Sequence, residues 1–492
     1  MELFIGLDVG TSAVKGILVS AQGHKVALAR RPIEHLHPRP GWTELDPEEH
    51  IRTVFGLVAE LADRVPPGSR VVGLSMASAS GNVMFLDRDN RPLYNIFSWL
   101  DGRSVGRTGE LLPGFERDRF HSIVGWPYSE LFPLVQIAWF HRHHPREWQR
   151  LGRVCMSNDY LTYRMTGRWG LDPSTATTFY LQDQVAGRWH DPYLELLGIG
   201  EEHLSPLLDS GTVLGRLTTE AAEAVGLSED TAVVLGAFDH PCAARGTGTL
   251  DEGELLLSCG TSWVDYYPLS DRDLAVKMGM LVDPFLFPAG PWGCMAALTA
   301  VGVTIDKYID SAVLKAGEDG SRKYEIFNAA AESASPGGGG LFLDLYRDSR
   351  SFLEDVGAPG DSGSRQGAGH TREEVARALM EAAAYELRVL TDRLAEVGIN
   401  ARRITMVGGP TESPIWPQIV AQVAGLPLRL INGQTAGAMG AAMLAAVGCG
   451  LYADEREAFA AMGGTETLIE PEGAAIRRYV ELYGEFGERF NK

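Results

Sequence analysis

The chain has 492 residues, 45% hydrophobic and 22% charged, the composition of an ordinary globular protein long enough for two or more domains. With 44 Lys and Arg against 64 Asp and Glu the formal net charge is −20, which argues against nucleic acid or an anionic membrane as a main partner. An anionic ligand must then be met by local backbone N–H groups and a metal ion rather than by the overall field.

Five scattered cysteines (Cys155, Cys242, Cys259, Cys294, Cys449) form no CxxC pair, which reads as reduced thiols in a cytoplasmic protein with neither zinc site nor disulfide frame. The first residues carry no basic leader and no run of 18 apolar residues occurs, so neither export nor a membrane span is expected.

In chain order, Phe4-Ile5-Gly6-Leu7-Asp8-Val9-Gly10-Thr11-Ser12 is an apolar strand that ends in an acid, a glycine and two hydroxyl residues. Such a turn offers N–H groups and small hydroxyls to phosphate oxygens, and Asp8 beside it suits a hydrated Mg²⁺. Val14-Lys15-Gly16-Ile17 resumes as a second strand, so the turn reads as a hairpin tip. An ordinary Asp/Gly turn explains the same residues equally well, were it alone. It is not alone: Leu255-Leu256-Leu257-Ser258-Cys259-Gly260-Thr261-Ser262-Trp263 repeats the pattern about 250 residues later, close to half the chain. A repeat at that distance predicts two related domains facing one cleft, with a turn from each half on the phosphates of one nucleotide.

Asp46-Pro47 is an N-cap followed by Pro at the first helical position, opening a helix through Ile51, Val54, Leu57, Val58 and Leu61. Val71 to Ser75 reads as a buried strand leading into the small, polar loop Ser78-Ala79-Ser80-Gly81-Asn82. Ile96 to Arg103 ends a strand with Trp99, Asp101 and Arg103, either ligand groups at a strand end or a surface ion pair. The segment 115–200 is rich in aromatics; its histidines His141, His143 and His144 read as a solvated helix end rather than a metal site. Asn158 to Gly167 reads as a helix closed by glycine.

Thr231 to Phe238 is an apolar strand that ends in Asp239-His240-Pro241. An acid at the tip of a buried strand is placed to take a proton from a substrate hydroxyl; an N-cap role for Asp239 is compatible with this, and His240 is the other candidate base. Gly337 to Gly340 and Ala358 to Gly369 read as loops, and Thr371-Arg372-Glu373-Glu374 as a capping box before a long helix through Val375, Leu379, Ala382, Leu387 and Leu390. Ile404 to Val407 runs into Gly408-Gly409-Pro410, where paired glycines leave room for a flat ring or ribose. Ser413 to Trp416 begins a helix, and Ala436-Gly437-Ala438-Met439-Gly440-Ala441-Ala442 is a small-residue helix suited to close packing.

Seven pieces taken in order resemble the FGGY family of carbohydrate kinases over roughly residues 1–450. They are Asp8 to Ser12, Gly41 to Pro47, Trp99 to Arg103, Gly236 to Asp239, Ser258 to Ser262, Gly408 to Trp416 and Gly440 to Ala442. The resemblance implies an α/β protein of two ribonuclease-H-like (actin-like ATPase) domains around a central cleft. It divides the chain into 1–248 with the sugar site, 249–450 with the adenosine site, and a 451–492 extension. It also implies ATP and Mg²⁺, Asp239 as general base, and Asp8 and Asp239 at the metal. The nucleotide contacts would be Asp8, Gly10, Thr11, Ser12, Lys15, Gly260, Thr261, Ser262, Gly408, Gly409, Pro410 and Ser413. The sugar would lie against Ser78, Ser80, Gly81, Asn82, Asp101, Asp239 and His240. The expected reaction is transfer of the γ-phosphoryl group to a hydroxyl of a small sugar, a ketopentose such as xylulose first, by a cytoplasmic enzyme for which the resemblance implies a homodimer.

Departures fall at the sugar. Xylulokinases usually carry Gln-Met-His-Gly and glycerol kinases Asn-Gln-Arg-Glu where this chain has Ser78 to Asn82, and the Gly-Glu-Arg-Thr-Pro segment common in xylulokinases has no clean match near Tyr346-Arg347-Asp348. The acid usual before the small-residue helix is Gln434 or Thr435 here. The alternative is an actin-like nucleotide-dependent binding or regulatory protein without kinase activity; a phosphatase or ATPase on the same fold is a third reading.

Overall fold

The computed structural model describes residues 1–490 except 80, 261, 287–289, 299–300, 316 and 346–368. The chain forms two compact units. The first comprises Met1–Leu250, Leu269–Cys294 and Thr435–Gly464; the second comprises Asp251–Pro268, Met295–Gln434 and Thr465–Lys492. The linear division expected from sequence therefore differs from the packing: residues 435–464 belong with the first unit, and what was read as a separate extension from 451 is shared between both.

The first unit is built on a six-stranded sheet of β1 (Glu2–Val9), β2 (Ala13–Ser20), β3 (Lys25–Pro32), β4 (Arg70–Ser78), β5 (Val213–Arg216) and β6 (Ala232–Phe238), in the order β5-β6-β4-β1-β2-β3. β1 and β2 form an antiparallel hairpin, while β1, β4 and β6 run parallel and end together at Val9, Ser78 and Phe238. Both faces are covered, which is why β1 reads as a continuous apolar run instead of an alternation.

On one face Leu3, Ile5, Leu7 and Val14 pack against the helix Pro47–Ala62, whose Ile51, Val54, Leu57, Val58 and Leu61 form its buried stripe. Its N-terminus is fixed as the sequence predicts: Asp46 Oδ1 accepts from Glu49 N at 2.8 Å and Pro47 is the first helical residue. On the other face Phe4, Ile17, Val19 and Val234 pack against the helix Ala436–Gly448. Its small residues let backbone meet backbone: a methyl group at Gly6 would lie 1.8 Å from Ala438 O.

The second unit repeats the arrangement. β7 (Glu254–Cys259) and β8 (Trp263–Leu269) form the hairpin, and β9 (Arg403–Gly408), parallel to β7, is followed by β10 (Leu428–Leu430) and β11 (Thr467–Ile469); β8-β7-β9-β10-β11 are successive neighbours within a seven-stranded sheet. The capping box at Thr371 is present, with Thr371 Oγ1 accepting from Glu374 N at 3.2 Å and Glu374 Oε2 accepting from Thr371 N at 2.9 Å. It starts the helix Arg372–Glu396, which buries Val375, Leu379, Ala382 and Leu387. Within it Arg377 Nε donates to Glu381 Oε1 at 2.8 Å, and Tyr479 OH donates to the same oxygen at 2.9 Å, anchoring the last helix, Gly473–Phe490.

His141, His143 and His144 close the helix Pro133–His143 and stack on Trp148, Trp139 and Phe140 at 4.1, 4.3 and 4.8 Å. The glycine run is a single 3₁₀ turn, Gly338–Gly340; of the loop expected from 358 to 369, residues 358–368 lie outside the described residues, as do Tyr346, Arg347 and Asp348.

Candidate active site

In the first unit the sheet brings three of the predicted pieces to one edge. Val9 pairs with Ser78 and Ser78 with Phe238, so the turn after β1, the loop after β4 and the acid after β6 leave adjacent strand ends, where open parallel sheets hold ligands.

Asp8 is the penultimate residue of β1 and lies opposite Lys15 in the hairpin, with Lys15 Nζ 3.5 Å from Asp8 Oδ2. Burial is the main reason its carboxyl sits above the usual range; Lys15 opposes that rise and the negative charge of Asp239 adds to it. Asp8 and Asp239 are therefore close enough to repel each other. The helix Ala436–Gly448 also comes up to this carboxylate: a methyl group on Gly437 would sit 3.5 Å from Asp8 Cγ. The turn itself is closed by Gly10 N donating to Ala13 O at 3.1 Å, with Thr11 half-buried and Ser12 exposed.

Asp239 is the first residue of the helix Asp239–Thr247; Phe238 is its N-cap, so the acid is not the cap itself. Its side chain is 31% exposed, and Oδ1 accepts from His240 N at 2.7 Å. The His240 ring stays beside it, Nε2 at 3.8 Å from Oδ1, packed edge-on to Phe238.

The loop after β4 is held from below. Asn82 is buried and clasps the start of the helix Ser157–Thr166: its Oδ1 accepts from Ser157 N at 2.8 Å and its Nδ2 donates to Ser157 Oγ at 3.0 Å. Gly81 adopts φ +83°, and a side chain there would meet Phe132 at 2.7 Å, so both conformation and space require glycine. Ser78 is buried, its hydroxyl without a hydrogen-bond partner among the described residues, and Ser80 lies outside them.

Asp101, expected at the sugar, is fully buried and both its oxygens are engaged: Oδ1 by Arg103 Nε at 2.7 Å, Oδ2 by Thr43 N at 2.6 Å. The Arg103 guanidinium also reaches Glu44 Oε1 at 2.5 Å and stacks 3.8 Å from both the Trp42 and Phe97 rings. The pair is thus neither a surface ion pair nor a group open to ligand, but a buried clamp that joins Thr43 and Glu44 to this strand end. Arg103→Met is expected to lower stability by about 3–5 kcal/mol, because two buried carboxylates lose their cation. Arg103→Lys should restore little, since one ammonium cannot serve both carboxylates and two rings. Thermal denaturation of the two variants checks this.

Sequence reasoning missed the links between these pieces. Trp99 Nε1 donates to Thr11 Oγ1 at 3.0 Å, tying the hairpin turn to the strand-end segment. Trp126 lies 5.6 Å from both Phe132 and Phe238, making an aromatic wall beside Asp239 whose only sequence signal was the aromatic richness of 115–200.

In the second unit Gly260 N donates to Ser262 O at 3.2 Å, closing the second hairpin turn; Thr261 lies outside the described residues. Gly408 has φ +101° and approaches Cys259 so closely that a methyl group would sit 2.2 Å from its carbonyl oxygen. Gly409, exposed, has open space around it and begins a short 3₁₀ turn, Gly409–Glu412, with Pro410 as its second residue. Ser413 lies just before the helix Trp416–Ala424, whose N-cap is Ile415; its Oγ accepts from Trp416 N at 3.1 Å and donates to Asn328 Oδ1 at 2.8 Å. These two bonds account for it without a ligand. Thr435, where the family usually has an acid, is the N-cap residue of the helix Ala436–Gly448 and accepts from Lys25 Nζ at 2.9 Å.

Two α/β units, each with a glycine- and hydroxyl-rich hairpin turn beside the ends of parallel strands, are the arrangement of the actin-like ATPase fold. Models of the FGGY family of carbohydrate kinases match both halves, the N-terminal domain over residues 3–246 and the C-terminal domain over 255–449. The chain belongs to the FGGY family of carbohydrate kinases.

It is 26% identical over 491 residues to a xylulose kinase of Bacillus subtilis (strain 168), covering 98% of this chain and 95% of that protein. It is likewise 26% identical to the L-xylulose/3-keto-L-gulonate kinase of Escherichia coli (strain K12), with the same coverage. The crystal structure of xylulose kinase from Rhodospirillum rubrum superposes with a TM-score of 0.84 at 27% identity, covering 99% of this chain and 98% of that one. The protein is a carbohydrate kinase, a phosphotransferase that takes ATP and a small sugar.

Proposed function

We propose that this kinase phosphorylates a ketopentose, xylulose first among them, on a primary hydroxyl. The likeness over nearly the whole length of both chains to a xylulose kinase carries this reading. Asp239 is the general base: with Oδ1 held by the His240 amide, Oδ2 accepts the acceptor hydroxyl proton as the oxygen attacks the γ-phosphorus. The phosphate contacts come from the turns at Gly10-Thr11-Ser12 and Gly260-Thr261-Ser262, and the adenosine lies against Gly408, Gly409 and Pro410. Gly81 and His240 border the acceptor, while Asn82 and Asp101 hold that border in place.

Asp8 and Asp239 fit a magnesium ion. The two carboxylates repel each other, and among the described residues no cluster of three or more His, Cys, Asp or Glu could hold a metal by itself. Magnesium suits such a sparse site because it keeps most of its water and binds phosphate oxygens. When bound, it supplies neutralisation of the charge that develops on the transferring group. All five cysteines are free thiols, which supports a reducing, cytosolic setting.

A coupled ADP-release assay with Mg²⁺-ATP and a panel of ketoses, aldoses and polyols tests the reading. Acceptor-dependent ADP with a ketopentose and its loss on chelating the metal are expected. ADP release equal with and without every acceptor would replace the kinase by an ATPase, and nucleotide binding without any ADP would replace it by a non-catalytic nucleotide-dependent protein.

A further inference from the structure

The helix Pro47–Ala62 carries one side chain that its amphipathic pattern does not explain. His50 lies in the first turn beside the buried residue Ile51, is itself only 6% exposed, and neither ring nitrogen has a hydrogen-bond partner among the described residues. A neutral imidazole has one N–H donor and one acceptor nitrogen, and a buried polar group is normally satisfied. Burial, reinforced by the nearby His35, pushes this ring down to about 4, so it is uncharged at neutral pH.

The ring forms part of the wall of a cavity of about 20 Å³, whose other walls include Val9, Thr11, Asn82, Trp99 and Ser157. That volume holds roughly one water- or hydroxyl-sized group. The neighbours are largely committed: Thr11 accepts from Trp99, and the Asn82 amide is engaged in both directions with Ser157. His50 keeps a donor and an acceptor with no assignment.

The position relates to the reacting acid through the sheet. Val9, in the cavity wall, ends β1, and Phe238, just before Asp239, ends β6, with β4 between them, so these two strand ends stand about two strand spacings apart, about 10 Å. An open-chain ketopentose reaches across such a distance when a hydrogen bond of about 3 Å is added at each end.

We infer that His50 is a specificity-determining residue of the acceptor site, its ring hydrogen-bonding an uncharged oxygen at the end of the sugar opposite the phosphorylated hydroxyl. This rests on the kinase reading and names the feature that acceptor must have. A terminal carboxylate is disfavoured, because a neutral ring does not replace the hydration of an anion.

The experiment compares the full-length wild type with His50→Leu and His50→Asn, using xylulose, 1-deoxyxylulose and 5-deoxyxylulose. Steady-state kinetics are paired with sugar titrations followed by tryptophan fluorescence and with melting temperatures. His50→Leu should raise the KM for xylulose about tenfold or more, with the KM for ATP within about twofold, and His50→Asn should recover part of the loss. One of the two deoxy sugars should bind wild type as poorly as xylulose binds His50→Leu, and that sugar should lose nothing further in the variant.

An unchanged KM for xylulose accompanied only by a lower melting temperature overturns the inference and leaves the ring a structural group. Equal further losses with both deoxy sugars overturn it too. Sugar binding that weakens in His50→Leu without any turnover supports the inference while overturning the kinase reading. Absence of both binding and turnover for every sugar overturns both.

Discussion

Asp239→Asn is expected to lower turnover by about 10²- to 10⁴-fold, the contribution of a general base to proton transfer, while nucleotide affinity is retained. The substitution keeps the size of the side chain and the oxygen that accepts from His240 N, so the start of the helix Asp239–Thr247 stays formed. What disappears is the capacity to accept a proton from the acceptor as the phosphorus–oxygen bond forms. Steady-state turnover and a nucleotide titration on the same preparation separate the two effects. His240→Gln is the companion variant: its side chain lies 3.8 Å from Asp239 Oδ1 but the amide that holds Asp239 is backbone, so a much smaller loss is expected. If Asp239→Asn loses less than about tenfold while His240→Gln loses more, the proton goes to the histidine.

Gly440→Ala is expected to cost about 2 kcal/mol or more of stability. An alanine inside a helix is ordinarily favourable by up to about 1 kcal/mol over glycine, and overpacking typically costs about 1–3 kcal/mol. Geometry decides which wins. A methyl group at Gly440 would sit 1.8 Å from Cys242 O, and one at Gly246 would sit 2.0 Å from Ala436 O. Both obstacles are backbone carbonyls of the facing helix, which cannot rotate aside as a side chain can. The helices Asp239–Thr247 and Ala436–Gly448 must therefore separate, losing the contact along their length. Calorimetry should show a lower melting temperature for either variant, and less than the sum for the double variant, because after the first separation the second methyl group meets a gap. A Gly440→Ala protein as stable as wild type would mean that the helices do not pack this closely.

The parts of the molecule that were legible in sequence are those whose cause is local. Asp46-Pro47 and the Thr371 capping box fix their helix starts through contacts three residues away, and the helix closed by Gly167 needs only that glycine's φ of +69°. The Gly10-Thr11-Ser12 and Gly260-Thr261-Ser262 turns were visible because each lies between two short apolar strands, and their repetition implied paired units. Asp239 could be read because a long apolar strand runs straight into it.

What sequence could not show is partner identity across large separations. Asp101 reads as a ligand group from its place at a strand end, yet its oxygens belong to Thr43 and Arg103. Ser413 reads as part of a nucleotide site, yet its hydroxyl accepts from Trp416 N at a helix start. Trp126, Phe132 and His50 carry no periodicity that separates a core aromatic from a wall of a site. The helix Ala436–Gly448 was rightly read as made for close packing, but nothing in Ala, Gly and Met says which sheet it covers.

That last helix has a consequence for how the protein is made. The sheet of β1 to β6 is complete in sequence by Phe238, whereas the helix that covers the Phe4, Ile17 and Val19 face ends at Gly448. At ordinary ribosomal rates the intervening stretch of about 200 residues takes roughly 10–40 s to synthesise. During that interval the nascent sheet shows an apolar face with no cover, the state that invites chaperone binding or self-association. A chain that stops near residue 250 keeps that exposure permanently, so the amino-terminal half is the wrong fragment to express. A split protein that carries residues 435–464 as a second piece supplies the missing cover in trans.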